Sequence, residues 1–240
     1  MGSDGMDRIV ATTPNYLCTS DVLQSYVEKC VTIPIGISKP KISTEIEARI
    51  AGWKVMLPKK FFLSVGELRY YKGLHTAIDV VTCTDIILII VGKGGVDASQ
   101  RKQAKESNVN NVQFLGALPE DDKWALMNLC YGFVVPSHLR SEAYGISQLE
   151  AASVGKPLIS CEIGTGTSYV NLNQVTGIVI SPSSPVELRT SMERLLYDEA
   201  LAQKFGQNAR VNYHELFTAE TQAKRYLDVY EELLAGKDKK

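Results

Sequence analysis

The chain has 240 residues, 45% hydrophobic and 22% charged, with 26 Lys and Arg against 27 Asp and Glu. That is enough apolar material for a real core, unlike a disordered chain, and a net charge of −1 leaves no electrostatic footprint for non-specific nucleic-acid binding. No run of about 18 apolar residues reads as a membrane span and no secretory signal is recognisable, so a cytoplasmic protein is expected, or one peripheral at the inner face of the membrane.

Residues 1–7 read as an expression remnant followed by a second start at Met6. Then comes a small block, 8–58, with a strand over 9–13, Ser20 as the cap of a helix over 21–28, and a strand over 31–35. One βαβ unit does not fold alone. Past Pro58 strands and helices alternate: strand 61–65 and helix 74–81, strand 86–91 and helix 98–106, strand 112–115 and helix 121–129. They continue with strand 131–135, a helix over 145–154, strands 158–161 and 177–180, and helices from about 185 onward. Such βα repetition predicts an α/β fold with a doubly wound, Rossmann-like parallel sheet over 59–216. Turn signals at Gly66, Gly92 to Gly95 and Gly116 fall at strand ends, as that architecture requires. The last element, a helix over 219–234 within 217–240, carries Tyr226, Val229, Tyr230 and Leu233 at helical spacing. An apolar face of this kind, left unpaired, invites a homodimer.

Five cysteines, Cys18, Cys30, Cys83, Cys130 and Cys161, are scattered and form no C-x-x-C pair, which fits a reducing compartment and small core residues rather than disulfides or zinc. His75, His138 and His214 lack ligand spacing, so no metal is indicated; only His138 lies where it could reach a cleft. The Gly92 to Gly95 turn is not G-x-G-x-x-G and gives no case for NAD.

Two carboxylates carry the chemistry. In a helix over 145–154, Ile146, Leu149, Ser153 and Val154 form one stripe with Glu150 near its middle. A buried carboxylate costs several kcal/mol unless its oxygens are satisfied. A basic side chain, backbone amides or the hydroxyls of a ligand would serve. Glu142, eight positions earlier, falls in the strand-to-helix loop, where open α/β sheets bind ligands and where the free amides at Gly145 favour anions. A second element, Gly66 to Gly73 after the first strand past Pro58, offers Arg69 and Lys72 for a diphosphate.

These residues resemble a known family. Pro136-Ser137, Arg140, Glu142, Gly145-Ile146, Leu149-Glu150-Ala151 and Gly155-Lys156-Pro157 are similar to the two-glutamate signature of retaining, nucleotide-sugar-dependent GT-B glycosyltransferases, glycosyltransferase family four. Phe62 to Gly66, Arg69, Lys72-Gly73, Gly116 and Gly164 to Ser168 fall in the same order. The likeness runs from about residue 9 to 230. Gly164 to Ser168 and the residues up to Asn171 are similar to a stretch of lipopolysaccharide and O-antigen mannosyltransferases, which hints at GDP-mannose.

The resemblance implies that 59–216 is the C-terminal, donor-binding domain of a GT-B enzyme. Residues 8–58 would be the βαβ tail of an N-terminal acceptor domain plus linker, and 217–240 a crossing helix. The acceptor half would be missing here or supplied by another subunit. It further implies transfer of a sugar to a glycan or lipid-linked acceptor with retention, the nucleotide-sugar being substrate and no cofactor needed. Glu142 would be the catalytic residue, holding the donor sugar's hydroxyls or lying near the reacting phosphate. Glu150 would grip the ribose diol, with Gly66, Arg69, Lys72, Tyr144, Gly145 and Ile146 completing the donor site. Glu67 departs from the family, where arginine often follows the glycine, and Arg69 is expected to take over its work. The competing readings are a nucleotide-sugar-binding module with no activity of its own and a GT-B epimerase or phosphorylase.

Overall fold

Past Pro58 the alternation folds into one six-stranded parallel sheet ordered β5-β4-β3-β6-β7-β8. The strands are β3 (Phe62–Val65), β4 (Leu88–Val91), β5 (Val112–Gly116), β6 (Gly132–Val135), β7 (Leu158–Cys161) and β8 (Gly177–Ile180). The computed structural model describes residues 5–107 and 110–237. Residues 1–4 of the expected remnant and 238–240 of the expected tail therefore lie outside the described residues.

Each strand is a short, nearly continuous apolar run, because helices cover both faces of the sheet. Side chains alternate across it. Phe62, Leu88, Val134 and Ile159 enter one layer with Leu74, Ala77 and Ile78 of α4 (Leu74–Val81) and Leu188 and Met192 of α9 (Pro185–Tyr197). Leu63, Ile89, Phe133 and Leu158 enter the other. There they meet Trp124 and Leu126 of α6 (Glu120–Leu129), Leu149 of α7 (Ile146–Ser153) and Tyr213 of α10 (Glu199–Leu216). Each such side chain contributes roughly 1.5–3 kcal/mol, so this sheet carries the stability. A further helix, α5 (Asp97–Glu106), connects β4 to β5.

The strand order contains a reversal. The chain moves from β3 outward to β4 and β5, then returns to lay β6 against the other side of β3. The loops after β3 and β6 therefore diverge and leave a crevice beyond their carboxyl ends.

The small block differs from expectation. β1 (Ile9–Ala11) and β2 (Cys30–Thr32) pair in parallel as a separate two-stranded sheet. Between them, α1 (Pro14–Thr19) starts at a Thr13 cap with proline at its first position, a signal passed over in the sequence. The expected helix over 21–28 is split into α2 (Asp21–Gln24) and a 3₁₀ turn, Val27–Lys29. Within the expected linker lies α3 (Thr44–Met56), capped by Ser43 and fixed to α6 by Trp53 Nε1 donating to Asp122 Oδ1 at 2.7 Å. Ile46 of this helix is fully buried, and Ile50, Trp53 and Leu57 follow it at helical spacing against the core, a stripe passed over in the sequence.

α8 (Thr167–Val170) is one turn after β7, and α11 (Ala219–Lys237) closes the chain. α11 runs back to the small block, with Arg8 Nη2 2.6 Å from Glu232 Oε1 and Gln222 Oε1 accepting from the Gly36 amide at 3.1 Å. Of its expected stripe, Tyr226, Val229 and Leu233 are half-buried and Tyr230 is exposed beside Leu227 and Leu234. Among the described residues no helix is long and apolar enough to cross a membrane. Two cysteines belong to the core: burial pushes the Cys130 thiol up to about 11 and that of Cys161 up to about 12. Cys18 and Cys83 are exposed and Cys30 is half-buried, so the expectation of core residues holds for two of the five.

Candidate functional site

After β3, Gly66 opens a loop whose 3₁₀ turn, Tyr70–Lys72, returns Lys72 over the strand end. After β6, the chain from Pro136 to Gly145 crosses the same edge before entering α7. These two loops bring Lys72 Nζ against Glu142 Oε2, to which Ser137 Oγ also donates at 3.0 Å. Glu142 is only 7% exposed, and these two donors offset the cost of its burial. Its backbone carbonyl accepts from Thr165 Oγ1 at 2.7 Å, which fixes the loop from behind.

Glu150 has a different partner. Lys123 Nζ of α6 lies 2.7 Å from Glu150 Oε1 and 2.6 Å from Glu120 Oε1. Burial alone would lower the Lys123 pKa, but hydrogen bonds to Glu120 and Glu150 outweigh it and hold the group above its ordinary value. The expected stripe is corrected here. Ile146 is 40% exposed, while Leu149, Ala151, Ala152 and Ser153 are buried, so Glu150 lies at the margin of the buried face and not at its middle. The reason is local: α7 starts with its first residue in the open cleft.

Lys72, Glu142, Lys123 and Glu150 line one cleft of about 510 Å³, together with Val65, Gly66, Tyr144, Gly145 and Ile146. Volume does not single it out, since a depression of about 480 Å³ lies by Glu162, Asn173 and Glu187. Its chemistry does. α7 has no side-chain cap, and Gly145, Ile146 and Ser147 of its first turn line the cleft, which offers amide donors and a positive helix end to an anion. The Tyr144 ring is buried and its hydroxyl donates to the Ile35 carbonyl at 3.2 Å; burial raises its pKa. Tyr144 thus ties the cleft floor to the small block.

The structure does not bring every expected residue here. The Arg69 guanidinium sits 2.6 Å from Glu67 Oε1, both side chains more than half exposed, and neither lines the cleft. The departure at Glu67 has engaged the cation meant to replace the missing arginine. His138 also turns away, its ring packed against those of Tyr70 and His75 at centroid distances of 5.0 and 5.3 Å. Lys123, Ser137 and Thr165 were missed as site residues. Ser137 and Thr165 stood within the segments Pro136-Ser137 and Gly164 to Ser168 without an expected role, and Lys123, after three acidic residues, carries no spacing signal. Among the described residues no cluster of three or more His, Cys, Asp or Glu side chains is placed to hold a metal ion.

Residues 46–212 match the family described as "Glycosyl transferases group 1". The chain is 48% identical over 214 residues to the D-rhamnosyltransferase WbpZ of Pseudomonas aeruginosa, across 89% of this chain and 56% of that protein. It is 42% identical over 232 residues to the O-antigen chain mannosyltransferase C of Escherichia coli, across 97% of this chain and 62% of that protein. It therefore spans less than two thirds of either relative's length. Among solved structures, sucrose-phosphate synthase from Thermosynechococcus elongatus shares the fold with a TM-score of 0.76 at 24% identity, across 96% of this chain and 59% of that one. Anabaena HepE, solved with UDP and glucose, does so with a TM-score of 0.75 at 20% identity, across 94% and 63%.

Proposed function

This chain belongs to the glycosyl transferases of group 1, and from that premise we propose that it is the donor half of a retaining hexosyltransferase. It binds a nucleotide-sugar, GDP-mannose favoured, for transfer of the sugar to a glycan or lipid-linked acceptor. Residues 59–216 form the donor domain. Residues 8–58 belong to the acceptor half, the rest of which lies on further chain or on another subunit, and α11 crosses back to it. The enzyme works in the cytoplasm or at the inner face of the membrane.

The observation that carries this reading is the Lys72–Glu142 pair at the switch point of the sheet, beside the uncapped end of α7. Lys72 is a point charge suited to a diphosphate, and the α7 amides add fixed donors. As the bond from the anomeric carbon to the phosphate oxygen breaks, the diphosphate gains negative charge that these groups stabilise without reorganising. Glu142 then faces the sugar hydroxyls, and Glu150, steadied by Lys123, receives the ribose diol. Retention rests on the likeness of the two-glutamate spacing to retaining enzymes. A mannosyl donor is supported by the name of the E. coli relative and by the sequence from Gly164 to Ser168.

Thermal unfolding with GDP, UDP, ADP and their sugars tests this. A ligand at 100 times its Kd stabilises by about 2.7 kcal/mol, and the guanosine compounds should give the largest shift; no shift with any of the panel overturns the reading. The second reading is a binding module without turnover. Absence of transfer from labelled GDP-mannose even with the acceptor half present would establish the module instead.

A further inference from the structure

Gly164 to Ser168 is the motif that hints at the sugar, yet none of residues 162–168 lines the cleft. Its polar groups are spent on a junction of three segments. Arg140, two residues before Glu142, donates from Nη1 to the Gly164 carbonyl at 3.1 Å and from Nη2 to Thr19 Oγ1 at 3.0 Å. Thr19 lies at the end of α1, in the small block, and its Oγ1 donates in turn to the Gly164 carbonyl at 2.7 Å. The Gly166 amide donates to the Ala143 carbonyl at 3.0 Å, and Asn15 Nδ2 of α1 donates to Ser168 Oγ at 2.9 Å. Gly164 has φ +68°, and a Cβ there would stand 2.7 Å from Arg140 Nη1, so the glycine is required by the junction itself.

We propose that Arg140 is a positioning residue that makes the placement of Glu142 depend on the docking of α1, so that the small block completes the donor site without touching the donor. The inference rests on the donor reading above. Its physical basis is the reach of the fork. The planar guanidinium holds two donors in a fixed fork, one on the Gly164 carbonyl and one on the Thr19 hydroxyl, and the loop it holds carries Glu142 two residues later. The backbone of that loop is held from the other side by Thr165. Loss of Arg140 removes the tie to α1 and leaves the loop its Thr165 and Gly166 contacts and the His138 amide on the Tyr71 carbonyl.

The test compares GDP with GDP-mannose by calorimetry on the full chain, because only the sugar meets Glu142 while both ligands carry the diphosphate. Arg140→Met should raise the ratio of the GDP-mannose Kd to the GDP Kd about tenfold, the scale of one net hydrogen bond, and match the shift in Glu142→Gln. Thr19→Val, at an exposed position outside the cleft, should move the ratio in the same direction, and the double variant should be no worse than Arg140→Met alone, as expected for one shared contact. If Arg140→Met does not fold, Thr19→Val carries the comparison. A ratio within about twofold of the unaltered chain in the folded variants, with only thermal stability changed, overturns the proposal. An unaltered chain that binds neither ligand overturns the donor reading, and the inference with it.

Discussion

Lys72 and Glu142 stand 70 positions apart in the chain, yet the Nζ of one reaches the Oε2 of the other at the edge where β3 and β6 part. Neither loop alone has a reason to place a charge there. Together they form a pair that is buried from the protein side and open on the cleft, so an anion can take the lysine while the carboxylate keeps Ser137.

Lys72→Met should therefore cost more stability than the lost contact suggests, because it strands Glu142 with a single hydroxyl donor. Breaking a sealed pair costs about 3–5 kcal/mol; with the cleft open, roughly 2 kcal/mol is expected in urea unfolding at pH 7. Lys72→Met combined with Glu142→Gln should recover most of that loss. If the double variant is as unstable as the sum of the two single ones, the pair is not coupled.

The two glutamates should separate in kinetics of the complete enzyme. Glu142→Gln is expected to lower kcat by more than its roughly tenfold loss of donor-sugar affinity, since its carboxylate faces the reacting sugar. Glu150→Gln is expected chiefly to raise donor KM, because it loses the ribose contact and also releases Lys123. The opposite pattern would exchange their roles.

His138 makes stability depend on pH. Burial of its ring and the neighbouring His75 hold its pKa below the usual 6.5, so as pH falls below 6.5 the unfolded chain takes up the proton before the folded one. The contribution is complete above that pH and lost as pH falls toward the folded value. The groups that share this packing are Tyr70 and His75, and Gln103 Nε2 donates to the His75 carbonyl at 3.0 Å. The urea midpoint of the unaltered chain should drop between pH 7.5 and 5.5 by more than that of His138→Gln. Equal drops would show that the imidazole does not titrate differently in the fold.

How much of this was legible depends on what each segment buries. β3 to β8 were readable because each is an apolar run bounded by turn residues, and α4, β7 and β8 fall where the pattern put them. The sheet order was not, since nothing in β6 itself says that it pairs with β3. α3 was passed over although Ile46, Ile50 and Trp53 recur at helical spacing against the core, because the exposed Val55 and Met56 blur that stripe. Glu142, Glu150 and Lys72 were legible from their spacing. Their protein partners were not: Lys123 and Thr165 come from neighbouring βα units and meet Glu150 and Glu142 only once these have packed, while Ser137 shares the loop of Glu142. Arg69 shows the reverse case: its charge suited the chemistry, but Glu67, two residues away, claims it first.

Gly145 supports a prediction with its own control. It holds φ +85° at the start of α7, and a Cβ there would come within 2.7 Å of Gln148 Nε2, the atom that donates to the Thr167 carbonyl at 2.9 Å. An alanine in this left-handed conformation is strained by roughly 1–2 kcal/mol, and displacing Gln148 adds about 1 kcal/mol for its hydrogen bond. Because that turn aims the first amides of α7 at the cleft, Gly145→Ala should weaken GDP binding as well, by at least about fivefold. Gly52, inside α3 with open space around it, should behave in the opposite way: alanine there is expected to stabilise by about 1 kcal/mol and to leave GDP affinity unchanged. Unfolding and calorimetry on both variants decide the point. If Gly145→Ala loses stability but binds GDP as well as the unaltered chain, the end of α7 is not where the diphosphate sits.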